Sequence, residues 1–151
     1  MNTAQDEYLE ALWYLQEQNK DSVADFETVL DCSIDYYNFD SIVSAGMAVL
    51  NRETGKVALT QRGLDHARGL VRKHRLAERL LYDVLGFRNE QFESEACTFE
   101  HVLAPHVVDG ICTLLGHPRE CPHGLPIPEG PCCLRNERVL QSAVAHLSEL
   151  E

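Results

Sequence analysis

The run from Gln61 to Leu85 reads as one long helix, with Gly86 placed to stop it. Directly upstream, "AVLN" and "KVALT" flank a turn at "RETG", the pattern of a small hairpin feeding that helix. Further upstream, Tyr8, Leu9, Leu12, Trp13 and Leu15 recur at helical spacing between Thr3 and Asn19, and two short helical candidates follow at Asp25 to Leu30 and Tyr36 to Ala45. Helices followed by a small hairpin suggest a winged helix-turn-helix. Beyond Gly86 the pattern predicts helices over Glu90 to Leu103 and over Pro105 to Leu115, with Pro105 suited to a first turn. "GHPRECPHGLPIPEGPCC" breaks the periodicity and reads as irregular, largely extended chain. "NERVLQSAVAHLSEL" puts Val139, Leu140, Ala143 and Leu147 on one stripe of a terminal amphipathic helix. No internal repeat or low-complexity tract interrupts this plan.

The expected fold is therefore mainly α. A degenerate winged helix-turn-helix over residues 1–64 precedes an all-helical unit over 65–133, whose Cys/Pro/Gly-rich extended segment occupies 112–133, and a C-terminal helix fills 134–151. With 151 residues, 44% of them hydrophobic and 25% charged, the composition is that of a soluble globular protein. No stretch approaches the roughly 18 apolar residues of a membrane span. The opening "MNTAQDEYLEALWYL" is acidic where a secretory signal would be basic, so the expected location is cytoplasmic, away from the membrane. A chain that can build a core and carries no export signal has little need of a disulfide framework, so its six cysteines point to metal or redox chemistry.

One short stretch concentrates donors. "ACTFEH" places Cys97, Glu100 and His101 at offsets of zero, three and four, which share a helix face. Alone, the pattern fits either a metal-ligand set or a partly exposed helix whose Cys packs inward. As a nucleophile and base, Cys97 and His101 would be poorly served by Glu100, whose charge stabilises a cation better than a thiolate. There is also no G-x-S-x-G, phosphate-binding glycine loop or H-E-x-x-H, and an enzyme is not expected.

Taken together, "KHRLAERLLYDVLG", "EACTFEH" and "CPHGLPIP" resemble the metal-binding and dimerisation domain of the diphtheria toxin repressor family, specifically over Val71 to Pro128. More weakly, "EYLEALWYL" resembles the family's first helix and "LTQRG" the segment leaving its wing. The resemblance implies a homodimeric, metal-responsive transcriptional regulator that binds DNA when loaded with Fe(II) or Mn(II), with two metal sites per subunit. Its primary site would comprise Glu7, Cys97, Glu100 and His101. Iron-responsive members have Met at the position of Glu7 and the manganese branch has Asp. The resulting mixed N/O/S set suits Fe(II) and would also accept Zn(II) or Co(II). Glu10, on the same face as Glu7, is a second donor or part of a solvated acidic face. The ancillary site would use His74, Glu78 and Glu93, the last standing where iron-responsive members have His.

Two features depart from the family. Between Lys20 and Arg52 there is no Lys or Arg, while Asp21, Asp25, Glu27, Asp31, Asp35 and Asp40 are acidic, and the net charge is −11. Phosphate neutralisation underlies nonspecific duplex affinity, so this surface opposes DNA. Base returns from Arg52 onward, leaving Arg52, Lys56 and Arg62 as candidate phosphate contacts. The alternative is a metal or iron–sulfur sensor that has lost DNA binding and meets a protein partner at the acidic helix-turn-helix face. The second departure is the set Cys112, Cys121, Cys132 and Cys133, interleaved with His117 and His123. Four thiols suit an iron–sulfur cluster or a structural zinc, and free or reversibly oxidised thiols are the competing reading. Cys32, among apolar residues, is expected to be a small core side chain.

Overall fold

The computed structural model describes residues 3–30, 32–88 and 92–135. Along the chain lie α1 (Thr3–Glu17), α2 (Val23–Leu30), α3 (Tyr36–Ser44), β1 (Ala48–Asn51), β2 (Lys56–Leu59), α4 (Gln61–Arg79), a π-helical turn (Leu80–Val84), α5 (Phe92–Glu100) and α6 (Pro105–Leu114). The chain divides within α4 into two compact units, Met1–Val71 and Arg72–Glu151. The border expected from sequence at residue 64 falls near the start of the same helix. The predicted tail helix over 134–151 lies outside the described residues except for its first two positions.

In the first unit, the stripe Tyr8, Leu9, Leu12 and Leu15 of α1 is buried against Phe26, Phe39, Ile42, Val57 and Leu59. Phe26 sits edge-on to Tyr8 at 5.4 Å and to Phe39 at 5.6 Å, so three aromatic rings centre this core. Short helices need caps to hold their ends. Ser22 Oγ accepts from the Asp25 backbone N–H at 3.0 Å at the start of α2, and Asp35 accepts from the Tyr37 N–H at 3.0 Å at the start of α3. The strands pair antiparallel, with Ala48 opposite Leu59 and Asn51 opposite Lys56. Asn51 Oδ1 accepts from the N–H groups of Glu53 and Thr54, and Gly55 takes φ +65°, which closes the turn.

Leaving the hairpin, Thr60 donates its N–H to the Met47 carbonyl at 2.9 Å and its Oγ1 accepts from the Gly63 N–H at 3.1 Å, capping α4. This brings the helix so close to the hairpin that a Cβ at Gly63 would lie 1.9 Å from the Met47 carbonyl oxygen. Backbone cannot rotate away from such a clash. Gly63→Ala is therefore expected to lower the stability of this unit by about 2–3 kcal/mol in urea unfolding, where the same change at Gly69, which meets no neighbour, is expected to be neutral or stabilising.

In the second unit Leu76, Ala77, Leu81, Phe92, Ala96, Leu103, Val108 and Ile111 form the core. The long helix predicted to Leu85 widens in its last turn, where the Leu85 N–H reaches the Leu80 carbonyl at 3.2 Å, and it ends at Gly86 with φ +73°. The Cys/Pro/Gly-rich segment is irregular but fastened down. Arg75 Nη1 donates to the Pro126 carbonyl at 2.6 Å and Arg79 Nε to the Glu120 carbonyl at 2.7 Å, so two α4 arginines hold its backbone. The segment folds back on itself through Cys121 N–H to Leu125 O and Ile127 N–H to Arg119 O, both 2.8 Å.

One sequence expectation is overturned in the first unit. Cys32 is exposed rather than a core side chain, because it lies just past the end of α2, whose single fully buried residue is Phe26. Among the described residues no helix is long and apolar enough to cross a membrane.

Candidate metal centre

Two helices and one loop of the second unit bring its donors together. α5 buries Phe92, Ala96 and Glu100, spaced by four, so Glu100 occupies a position on the inward stripe where an apolar residue would ordinarily sit. Glu100 is 2% exposed. One turn of helix aligns Cys97 and His101 beside it, and the ligand atoms of Cys97, Glu100 and His101 lie within 4.8 Å of one another. His101 Nε2 stands 3.6 Å from Glu100 Oε1, and that buried oxygen accepts no hydrogen bond. Burying a carboxylate oxygen without a hydrogen bond is unfavourable, and the arrangement fits a divalent cation held by thiolate, carboxylate and imidazole.

The other oxygen of Glu100 is paired. His74 lies on α4 with Nδ1 2.6 Å from Glu100 Oε2 and Nε2 3.1 Å from Glu78 Oε1. Burial works against a charge on His74, but the two carboxylates outweigh it and push its pKa from 6.5 up to about 10. Burial likewise opposes ionisation of Glu78, yet His74 holds its carboxyl below the ordinary range. A positive imidazolium thus lies between two nearly buried carboxylates.

The ancillary residues inferred from the resemblance are arranged differently from the expected trio. Glu78 joins His74, but exposed Glu93 pairs with His123 Nε2 at 2.9 Å, while His123 Nδ1 meets Glu78 Oε1 at 3.2 Å. His123 stacks on Phe92 at 5.3 Å, which fixes its ring. Glu78, Cys121 and His123 form a donor group of their own. His123 was visible in "CPHG" but carried no assignment, because nothing local in sequence indicates that this loop returns to α4.

The four late cysteines divide between two donor groups. Cys121 is drawn to Glu78, and burial, reinforced by that carboxylate, pushes its thiol up. Cys112, Cys132 and Cys133 do converge, and the fourth donor among them is His117. There burial and the neighbouring thiols push Cys112 up to about 12, while at Cys133 burial is outweighed by the Gly130 backbone and His117, holding it at about 7.

The remaining candidates lie in the first unit. Glu7 is exposed on α1 and Glu10 half-buried. Arg52 pairs with Asp40 at 3.0 Å and lies over the Tyr36 ring, and Lys56 pairs with Asp21 at 2.8 Å. Two of the three candidate phosphate contacts are therefore turned to acids of their own unit, and Arg62 is exposed on α4.

Donors gathered between α4, α5 and a "CPHG" loop form a candidate metal centre, and comparison with known proteins shows what the domain resembles. Residues 60–129 match the family model described as "Iron dependent repressor, metal binding and dimerisation domain". That stretch is a domain of the diphtheria toxin repressor family. It is 46% identical over 70 residues to the iron-dependent repressor IdeR of Mycobacterium tuberculosis, a match covering 46% of this chain and 30% of that protein. Against the diphtheria toxin repressor of Corynebacterium jeikeium it is 43% identical over 70 residues, covering 46% of this chain and 29% of the relative. The fold extends further: a manganese-dependent transcriptional repressor solved with manganese superimposes with a TM-score of 0.73 at 30% identity, over 83% of this chain and 59% of that one. The chain therefore has the winged helix-turn-helix and helical domain of metal-dependent regulators while matching less than two thirds of their length. These relatives are named as repressors, in keeping with the expectation that the chain is not an enzyme.

Proposed function

We propose that this protein is a cytoplasmic, homodimeric transcriptional regulator whose binding to DNA depends on a divalent transition metal, Fe(II) foremost, at Cys97, Glu100 and His101. The observation that carries this reading is Glu100, a carboxylate on an inward helix stripe with one buried oxygen that accepts no hydrogen bond, beside a thiol and an imidazole. A divalent ion there supplies the positive charge that balances the thiolate and carboxylate. Glu78 and His123, with Cys121, His74 and Glu93 around them, are the second donor set. Val102, Val107 and Leu114 lie exposed on or beside α6, an apolar surface that suits a second copy.

A second reading rests on the acidic first unit. With Arg52 and Lys56 both paired internally, α3 and the hairpin offer little to phosphate, which favours a metal sensor acting through a protein partner.

Fluorescence anisotropy with a library of genomic duplexes, with and without Fe(II) or Mn(II) under anaerobic conditions, separates the two. Metal-dependent retention is expected, together with a loss of metal affinity on the order of a hundredfold or more in Glu100→Ala and His101→Ala. Metal affinity that survives both substitutions removes the site. Metal binding without retention of any duplex favours the partner reading.

A further inference from the structure

We propose that Cys112, His117, Cys132 and Cys133 hold a tetrahedral zinc ion that fastens the Cys-rich segment to the end of α6, separately from the regulatory site. The inference stands on this cluster alone and does not depend on the function proposed above.

The helix end itself makes the first half of the site. At the end of α6 the Gly116 N–H reaches the Thr113 carbonyl at 3.1 Å and the His117 N–H reaches the Cys112 carbonyl at 2.8 Å, the paired bonds of a Schellman motif. That motif brings the side chain just beyond the helix against the one in its last turn, a contact ordinarily apolar. Here it joins an imidazole to a thiol, with His117 Nδ1 3.4 Å from Cys112 Sγ. His117 takes φ +54°, a left-handed conformation uncommon for a residue other than glycine.

The other half comes from "GPCC", which opens a helical turn over residues 131–135. Cys133 Sγ lies 3.7 Å from Cys112 Sγ and 3.9 Å from Cys132 Sγ. Around a tetrahedral zinc with bonds of about 2.3 Å to sulfur and 2.0 Å to nitrogen, the edges would measure about 3.8 Å between sulfurs and about 3.5 Å from sulfur to nitrogen. The observed edges match a single ion. All four ligand atoms fall within 4.8 Å, whereas an iron–sulfur cluster distributes its thiolates over separate irons and needs a wider cage. Three thiolates and one imidazole are also the soft donors that zinc takes in structural sites.

The surroundings fit the charge. Three thiolates around a dication leave one net negative charge, and buried Arg72 donates from Nη2 to Cys132 Sγ at 3.0 Å. Asp109 orients that guanidinium from 3.1 Å, and Gly130 passes so close that a Cβ would lie 2.4 Å from Arg72 Cζ. The family match ends at residue 129, so two of the four donors fall beyond it.

The test is metal analysis of the full chain purified without oxygen, followed by Co(II) exchange. Expected are one zinc per chain that survives dialysis against a weak chelator, release of that zinc as a mercurial titrates the thiols, and tetrahedral Co(II) bands with thiolate charge transfer. These features should persist in Cys97→Ser and Glu100→Ala, which disable the regulatory site. They should vanish in Cys112→Ser. Should Cys112→Ser fail to fold, His117→Cys decides: it should keep a tetrahedral ion with stronger thiolate charge transfer. Acid-labile sulfide, a Cys112–Cys133 disulfide without metal, or a Co(II) spectrum indifferent to both Cys112→Ser and His117→Cys would each overturn the proposal.

Discussion

In metal-free protein, His74→Ala is expected to lower stability by about 3–5 kcal/mol. The imidazole separates Glu78 and Glu100, which are 3% and 2% exposed, at 3.1 and 2.6 Å. Removing it leaves two buried carboxylates facing each other, with half-exposed His123 beside Glu78 and His101 3.6 Å from Glu100. The cost comes from uncompensated charge more than from lost attraction. Hence His74→Ala/Glu78→Gln/Glu100→Gln, which also removes the charges, should regain most of the stability in urea unfolding with chelator present. If single and triple variants unfolded at the same urea concentration, the electrostatic account would be wrong. The pH dependence has a definite sign. His74 is raised from 6.5 to about 10, so its contribution is complete below 6.5 and is lost as pH climbs through 10. In the variant the bare carboxylates gain from protonation, so the gap between parent and variant is widest near neutrality and narrows towards acid.

The same residues show what sequence could and could not convey. Periodicity located α1 to α6 and the hairpin, because Leu9, Leu12 and Leu15, or Phe92 and Ala96, mark inward stripes by local spacing alone, but it did not show the helical turn over 131–135. Cys97, Glu100 and His101 were legible for the same reason: a helix places offsets of three and four together without help from the rest of the fold. Contacts made across loops were not. Which thiol accompanies Cys112 depends on how far "CPHG" is pulled towards α4 by Arg75 and Arg79, and those bonds go to the backbone carbonyls of Pro126 and Glu120, which no side-chain pattern reveals. Cys121 therefore falls in the sequence reading with Cys112, Cys132 and Cys133, and His117, seen among them, carries no assignment there because its placement comes from a helix-stop geometry. The π turn at Leu80–Val84 left no mark either, since its residues would also suit an α-helix.

Phe39→Ala and Tyr37→Ala, two positions apart on α3, are expected to behave oppositely. Phe39 is fully buried in ring contact with Phe26, and its truncation should cost about 3–5 kcal/mol. A core the size of the first unit's rarely supplies more than about 3–5 kcal/mol in total, so this variant should lose its near-ultraviolet circular dichroism and leave the unit largely unfolded at room temperature. Tyr37 is 83% exposed, and its removal should change stability by no more than about 0.5 kcal/mol. A Phe39→Ala protein with an unchanged urea midpoint would show that the aromatic cluster does not hold the unit together. The contrast bears on function. A domain that keeps a full aromatic core beneath a surface of Tyr36, Tyr37 and Asp40 is intact beneath that surface, so its acidity is a property of the face and not a sign of decay. Tyr37, left in water on α3, brings little packing energy to its own unit, so recognition by this face can be probed there without disturbing the core. Loss of duplex retention in Tyr37→Ala with stability unchanged would assign that recognition to DNA.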